Sequence, residues 1–211
     1  MFLSSELRKK VLAEIDKIKD KALECLARLV KVKSVNPPGE YEEISRCLVE
    51  IFKELDFDET KTLPVPEELV KARRLETPRI NVLGTIKGTV GTPTLALNPH
   101  LDVVPVGDLS KWTVDPWACE IKEDKGIDWI YGRGVNDCKG DLVMYMYALV
   151  ALRNAGVKLK GNAIVVGSVD EETGGHLGAK WLLDEGHVKA DFAIIEGHTH
   201  DLCNAAMVSF G

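Results

Sequence analysis

One histidine and five carboxylates occupy loops that flank short apolar runs, where side chains are free to perform chemistry. They are His100, Asp102, Asp137, Glu171, Glu172 and Glu196. Carboxylates that crowd into one crevice repel each other unless cations lie among them. Oxygen ligands with one imidazole suit Zn²⁺, and also Co²⁺ or Mn²⁺, whereas an all-oxygen set would favour Mg²⁺ or Ca²⁺. These residue types therefore predict a transition-metal site, provided that the fold brings them together.

Each motif also has a plain structural interpretation when it is taken alone. An HxD pair such as His100 and Asp102 is common by chance, and "DEETGG" is compatible with a solvated turn. The stretch "GRGVNDCKG" is compatible with a glycine-rich turn in which Asp137 caps the following helix. Three such motifs in order favour the functional interpretation, because the structural one must explain each motif separately.

Helices and strands alternate along most of the chain, as the spacing of apolar residues indicates. Steps of three and four residues predict four helices, at about 5–30, 41–55, 140–155 and 176–185. The runs "INVLGTI", "PTLALN", "NAIVVGSV" and "DFAII" are typical of strands covered on both faces. The segment "ACEIKEDKGIDWIYGRG" predicts a hairpin that turns at Asp124, Lys125 and Gly126. We therefore predict an α/β fold with a mostly parallel, mixed sheet flanked by helices.

The predicted strands place the chemical groups at one end of the sheet. His100 follows "TLAL", Glu171 follows "AIVVGSV" and Glu196 follows "DFAII", while Asp137 lies between the hairpin and the next helix. In open α/β sheets, functional groups gather beyond the carboxyl ends of the strands. We expect these residues to converge there.

Composition excludes several classes of function. A formal net charge of -6 argues against a general affinity for nucleic acid or anionic lipid. The five cysteines form no CxxC pair, which disfavours a disulfide framework or a thiolate zinc finger. The sequence shows neither a bilayer-length apolar run nor a signal-peptide core. We expect a cytoplasmic protein that acts on a small molecule or peptide and binds neither nucleic acid nor membrane.

Three stretches together resemble one family of enzymes. "HLDVVPVGDLSKWTVDPW", "YGRGVNDCKGD" and "VDEETGG" resemble the metallopeptidase family of acetylornithine deacetylase, succinyl-diaminopimelate desuccinylase, aminoacylase and glutamate carboxypeptidase. The resemblance runs from about Ser34 to the end of the chain. It implies a zinc-exopeptidase-like catalytic domain with two Zn²⁺ ions, or Co²⁺ or Mn²⁺ in their place. It also implies hydrolysis of N-acyl amino acids or short peptides by a metal-activated water.

The resemblance implies a role for each candidate residue. The implied metal ligands are His100, Asp137, Glu172 and Glu196, with Asp137 bridging the two ions. Asp102 is the implied partner that orients the imidazole, and Glu171 is the implied general base. Because neighbouring residues of a strand point to opposite sides, we expect Glu171 and Glu172 to divide coordination and proton transfer between them.

The sequence also departs from the family. Its members are longer, and they supply a further histidine and a lid and dimerisation domain, so we expect residues 1–211 to be the N-terminal portion of a catalytic domain. We expect a full-length protein to be a homodimer, whereas the sequence does not predict the oligomeric state of residues 1–211. We interpret His198 and His200 as loop residues. Cys138 replaces the usual methionine, and we interpret it as packing because consecutive helical side chains diverge by about 100°.

Two alternatives remain open beside the hydrolase. The chain is also compatible with a catalytically silent fragment that binds metal or a partner. A magnesium phosphohydrolase built from the same acids is disfavoured by the imidazole and by the absence of a phosphate-binding P-loop sequence.

Overall fold

The structure is a computed structural model that describes residues 4–196. The described helices are α1 Ser5–Lys31, α2 Glu42–Glu54, α3 Glu67–Ala72, α4 Gly140–Asn154 and α5 Ala179–Asp184. The described strands are β1 Glu59–Pro64, β2 Ile80–Ile86, β3 Gly91–Asn98, β4 Glu120–Asp124, β5 Ile127–Tyr131, β6 Gly161–Gly167 and β7 Phe192–Ile195. Among these helices, none is long and apolar enough to cross a membrane.

Five strands form the main sheet, in the order β1-β2-β6-β3-β7. Strand β3 is parallel to both β6 and β7, whereas β2 is antiparallel to both β6 and β1. Four of the five strands therefore run in one direction and only β2 opposes them. This confirms the predicted α/β fold with a mostly parallel, mixed sheet.

Successive residues of the central strands enter two different apolar clusters. Val82 and Val165 pack with buried residues of α1, α2 and α4 on one face of the sheet. Their neighbours Leu83 and Val166 pack on the other face with residues of α3 and α5. Because side chains alternate along a strand, a strand covered on both faces must be apolar at every position. This explains why these strands are nearly continuous apolar runs in the sequence.

The helices and the hairpin match the predicted segments with two additions. Strands β4 and β5 form the predicted hairpin, in which Lys125 and Gly126 adopt positive φ angles of 53° and 79°. Helix α5 is shorter than predicted and begins only at Ala179. The sequence analysis missed β1 and α3, because β1 is an edge strand without apolar alternation and α3 has only six residues.

Gly178 determines how closely the start of α5 approaches the end of β6. A Cβ atom at this position would lie 1.8 Å from the main-chain oxygen of Val169. We expect Gly178→Ala to lower the free energy of unfolding by about 2 kcal/mol or more, because the backbone must move to relieve the overlap. Urea denaturation of purified chains measures this change. Gly126→Asn is the matched control, since nothing lies within 4 Å of that position and asparagine tolerates its positive φ; an equal loss in both variants would contradict the packing argument.

Candidate metal centre

The imidazole of His100 is buried just beyond the end of β3. The main chain of His100 continues the pairing of β3 with β6 through a parallel bridge to Ser168. Its Nδ1 lies 2.8 Å from the main-chain oxygen of Asp102, and its Nε2 lies 2.8 Å from Oδ1 of Asp137. A carbonyl oxygen only accepts hydrogen bonds, so Nδ1 carries a proton and Nε2 faces the carboxylate of Asp137.

The carboxylate of Asp102 is fully buried and aligns the neighbouring acidic turn. It accepts hydrogen bonds from the main-chain N–H groups of Glu171 at 3.3 Å and Glu172 at 3.1 Å, and from the Asn36 amide at 2.8 Å. Its Oδ1 lies 3.7 Å from Nδ1 of His100, beyond hydrogen-bonding distance. Asp102 therefore contacts the imidazole through its main-chain oxygen, and its carboxylate fixes the turn that carries the two glutamates.

Glu171 and Glu172 lie in a short helical turn, Glu171–Thr173. We expected strand alternation to separate their side chains, but neither residue lies in a strand, because β6 ends at Gly167. The turn nevertheless gives the two carboxylates different surroundings. Glu171 is 48% exposed, with Oε2 3.8 Å from Nε2 of His100. Glu172 is partly buried and groups with His100 and Asp137 as a set that could hold a metal ion.

A buried ion pair stabilises the backbone directly before this acidic turn. Nε of Arg79 lies 3.3 Å from Oδ1 of Asp170, and both side chains are almost completely buried. The main-chain N–H of Asp170 donates to the Tyr41 hydroxyl at 2.9 Å, and the Arg79 guanidinium lies 5.3 Å from the centre of the Tyr41 ring. Asp170 has a positive φ of 68°, which reverses the chain before Glu171. No role was predicted for Arg79, which directly precedes the predicted strand "INVLGTI" in the sequence.

Asp137 and Cys138 occupy an irregular turn, Val135–Lys139, that precedes α4. Both have non-helical backbone angles, so the helical geometry from which we interpreted Cys138 as packing does not apply here. Lys139 is completely buried, and its Nζ donates to the main-chain oxygens of Leu29 at 2.9 Å and Val32 at 2.8 Å. Burial lowers the pKa of Lys139 to about 7. The end of α1 thereby anchors the turn.

Cys138 and Glu196 also lie close to His100. Sγ of Cys138 accepts a hydrogen bond from the main-chain N–H of His100 at 2.9 Å and lies 3.4 Å from Oε2 of Glu196. His100, Cys138 and Glu196 form a second set that could hold a metal ion. Glu196 is the last residue that the structure describes, and His198 and His200 lie outside the described residues.

The electrostatics of the cluster are those of an acidic site that a cation would stabilise. Burial raises the pKa values of Glu172 and Glu196, and the charge of Asp137 contributes to both shifts. Burial alone would lower the pKa of His100, but the Asp137 hydrogen bond and the surrounding carboxylates raise it to about 9. The imidazole and the carboxylates lie close together in buried or partly buried positions, where their charges are unfavourable without a counter-ion. The donor set therefore fits a divalent transition-metal ion.

A sequence profile described as peptidase family M20/M25/M40 matches residues 96–207, which is more than half of the chain. The chain belongs to peptidase family M20/M25/M40. Membership of this family confirms the resemblance of the three motifs, all of which overlap the matched segment.

Relatives of the M20/M25/M40 chain include enzymes named for different substrates. It is 30% identical over 188 residues to a probable succinyl-diaminopimelate desuccinylase of Staphylococcus epidermidis, covering 89% of the chain and 40% of that protein. It is 30% identical over 145 residues to a cysteinylglycine-S-conjugate dipeptidase of Corynebacterium striatum, covering 68% of the chain and 28% of that protein.

Two solved structures share the fold of the described residues. The di-peptidase Dug1p from Saccharomyces cerevisiae superimposes with a TM-score of 0.75 at 20% identity, over 92% of this chain and 41% of that one. The M20 family metallo-carboxypeptidase Sso-CP2 from Sulfolobus solfataricus gives a TM-score of 0.63 at 26% identity, over 84% of this chain and 37% of that one. The chain thus spans about two fifths of the length of proteins that it resembles.

Proposed function

We propose that the protein containing this chain is a metal-dependent amide hydrolase that acts on N-acyl amino acids or short peptides. The observation that carries the proposal is the convergence of His100 with Asp137 and Glu172 in one group of potential ligands, and with Cys138 and Glu196 in another. The names of the relatives, a desuccinylase and a dipeptidase, support a substrate with an amide bond. We infer that the chain forms the N-terminal portion of the catalytic domain.

Two divalent ions, preferably Zn²⁺ with Co²⁺ or Mn²⁺ as substitutes, fit the proposed ligands. His100, Asp137 and Glu196 would hold the first ion, and Asp137 and Glu172 the second. When bound, such ions polarise a carbonyl oxygen and lower the pKa of a water molecule towards 7. Nε2 of His100 would be the coordinating atom, because Nδ1 donates a hydrogen bond to the main-chain oxygen of Asp102.

Glu171 is the proposed general base. Its main-chain N–H is fixed by Asp102, so its position is set while its half-exposed carboxylate remains free to exchange a proton. The carboxylate takes a proton from the attacking water and delivers it to the leaving nitrogen of the amide. Glu172 lies deeper and does not carry this task.

Removing the imidazole tests the proposal directly. We expect the purified chain to bind Zn²⁺ and His100→Ala to lose at least one bound ion, because both metal sets contain this residue. Equilibrium dialysis with metal analysis measures the stoichiometry. His176→Ala is the matched control, since His176 is exposed and belongs to neither set. Absence of Zn²⁺ binding by the wild type, or unchanged binding by His100→Ala, would refute the metal centre.

The second candidate function is a catalytically silent fragment that binds metal. The observation that favours it is that the chain spans only about two fifths of its relatives' length. Assays of the chain against dipeptides and N-acyl amino acids with Zn²⁺ or Co²⁺ distinguish the two. Metal binding without turnover in the chain, together with turnover in a protein that extends beyond it, would assign catalysis to the longer protein.

The proposal extends to the cellular location and the oligomeric state of the protein. We propose a cytoplasmic enzyme, supported by the four described cysteines, Cys25, Cys47, Cys119 and Cys138, all of which are free thiols. We also propose that the full-length protein is a homodimer. We propose that it binds neither nucleic acid nor membrane, which the net charge of -6 of residues 1–211 supports.

A further inference from the structure

The thiol of Cys138 is a buried group that the proposed hydrolysis does not use. Its side chain is completely buried, yet among the described residues Cys138 belongs to neither of the two apolar clusters. Its Sγ atom lies 2.9 Å from the main-chain nitrogen of His100, 3.5 Å from the main-chain oxygen of His100 and 3.4 Å from Oε2 of Glu196. The thiol therefore lies next to two of the proposed metal ligands, His100 and Glu196.

Cys138 shares its surroundings with two other potential ligands. A ring nitrogen of His100, Sγ of Cys138 and a carboxylate oxygen of Glu196 all lie within 4.8 Å of one another. Tetrahedral zinc sites take ligands at about 2.0 to 2.3 Å from the ion, so small side-chain adjustments suffice to place three such atoms around one ion. The turn that carries Cys138 is anchored by buried Lys139, which restricts the position of the sulfur.

We propose that Cys138 is a sulfur ligand of the first metal ion, together with His100 and Glu196. The inference rests on the proposed function and adds to it a mixed nitrogen, oxygen and sulfur coordination. On binding, the metal–sulfur bond forms as the thiol releases its proton to the solvent. A thiolate is a soft ligand, so this ion is expected to be Zn²⁺ or Co²⁺ in preference to Mn²⁺ or Mg²⁺.

Cobalt substitution tests this coordination without any assay of hydrolysis. We expect Co²⁺ added to the metal-free chain to produce a sulfur-to-cobalt charge-transfer band in the near ultraviolet, together with visible d–d bands. Cys138→Ser should lose the ultraviolet band. Its affinity for Co²⁺ should fall by at least about tenfold, the loss that removal of even an outer-shell partner causes.

The other cysteines supply the controls. Cys25→Ser removes an equally buried thiol that lies in the apolar core, and Cys203→Ser removes one outside the described residues; both variants should keep the band. A chain with serine at all four other cysteines should also keep it, and this variant preserves the test if Cys138→Ser fails to fold.

The outcomes separate this inference from the proposed function. Visible cobalt bands without a sulfur band in the wild type would overturn coordination by Cys138 and leave the metal centre intact. A sulfur band that survives Cys138→Ser would also overturn it. Failure of the wild type to bind Co²⁺ at all would overturn both the sulfur ligand and the metal centre.

Discussion

Replacing Glu171 with glutamine is expected to lower kcat/KM for amide hydrolysis by roughly 10² to 10⁴-fold, the usual contribution of a general base. The substitution removes the ability to accept a proton but preserves the size and hydrogen-bonding shape of the side chain. Glu171 belongs to neither described metal set, so Glu171→Gln should retain the wild-type metal stoichiometry. Steady-state kinetics with dipeptides and N-acyl amino acids, in the protein that contains this chain, measure the loss.

Glu172→Gln is the matched control because it changes the adjacent carboxylate in the same turn. Glu172 groups with His100 and Asp137, so its substitution should lower the amount of bound metal as well as turnover. Wild-type turnover in Glu171→Gln would refute the proton-transfer role. Loss of metal from Glu171→Gln would instead identify Glu171 as a ligand.

Replacing Arg79 with leucine is expected to lower the free energy of unfolding by about 3 to 5 kcal/mol, because it leaves the Asp170 carboxylate buried without its cationic partner. The remaining hydrogen bond from the Thr173 hydroxyl, at 3.0 Å, does not neutralise the charge. Denaturation with urea or guanidinium chloride at neutral pH measures the change. Addition of Asp170→Asn to Arg79→Leu should restore part of the stability, because it removes the unpaired charge.

An exposed ion pair provides the comparison for Arg79. Lys71 and Glu67 are paired on the surface of α3 with side chains that are 70% and 77% exposed. Lys71→Met should change the free energy of unfolding by no more than about 1 kcal/mol, since solvent screens such pairs. A similar loss in Lys71→Met and Arg79→Leu, or no recovery in the double variant, would contradict the view that Asp170 needs a buried partner.

The sequence predicted the parts of the fold that depend on local periodicity. Helices α1, α2 and α4 bury one stripe each, and the central strands are apolar throughout because both faces are covered. Strand β1 escaped prediction because its place depends on pairing with β2 rather than on its own apolar content. Local pattern therefore predicts the elements that form the core better than those at the margin.

The candidate site shows the same division between local and distant information. The motifs predicted which carboxylates follow the strands, and the structure brings His100, Asp137 and Glu172 together. The pairing of Arg79 with Asp170 joins residues 91 positions apart, and no local pattern specifies it. Regular helix geometry was assumed at Cys138 and regular strand geometry at Glu171, and the backbone departs from it at both positions.

Strand β7 is one of the two edge strands of the described sheet, in which it pairs with β3. Phe192 and Ile195 each expose about half of their surface to solvent. Burial of apolar side chains therefore contributes little to the stability of β7 at this edge of the sheet. Glu196 follows immediately, beside Cys138 and His100. A cation bound by Glu196 together with those buried groups would link the end of β7 to the interior of the protein. Metal binding and the local stability of β7 would therefore be coupled. Removal of the metal by a chelator should destabilise β7 before the rest of the protein unfolds.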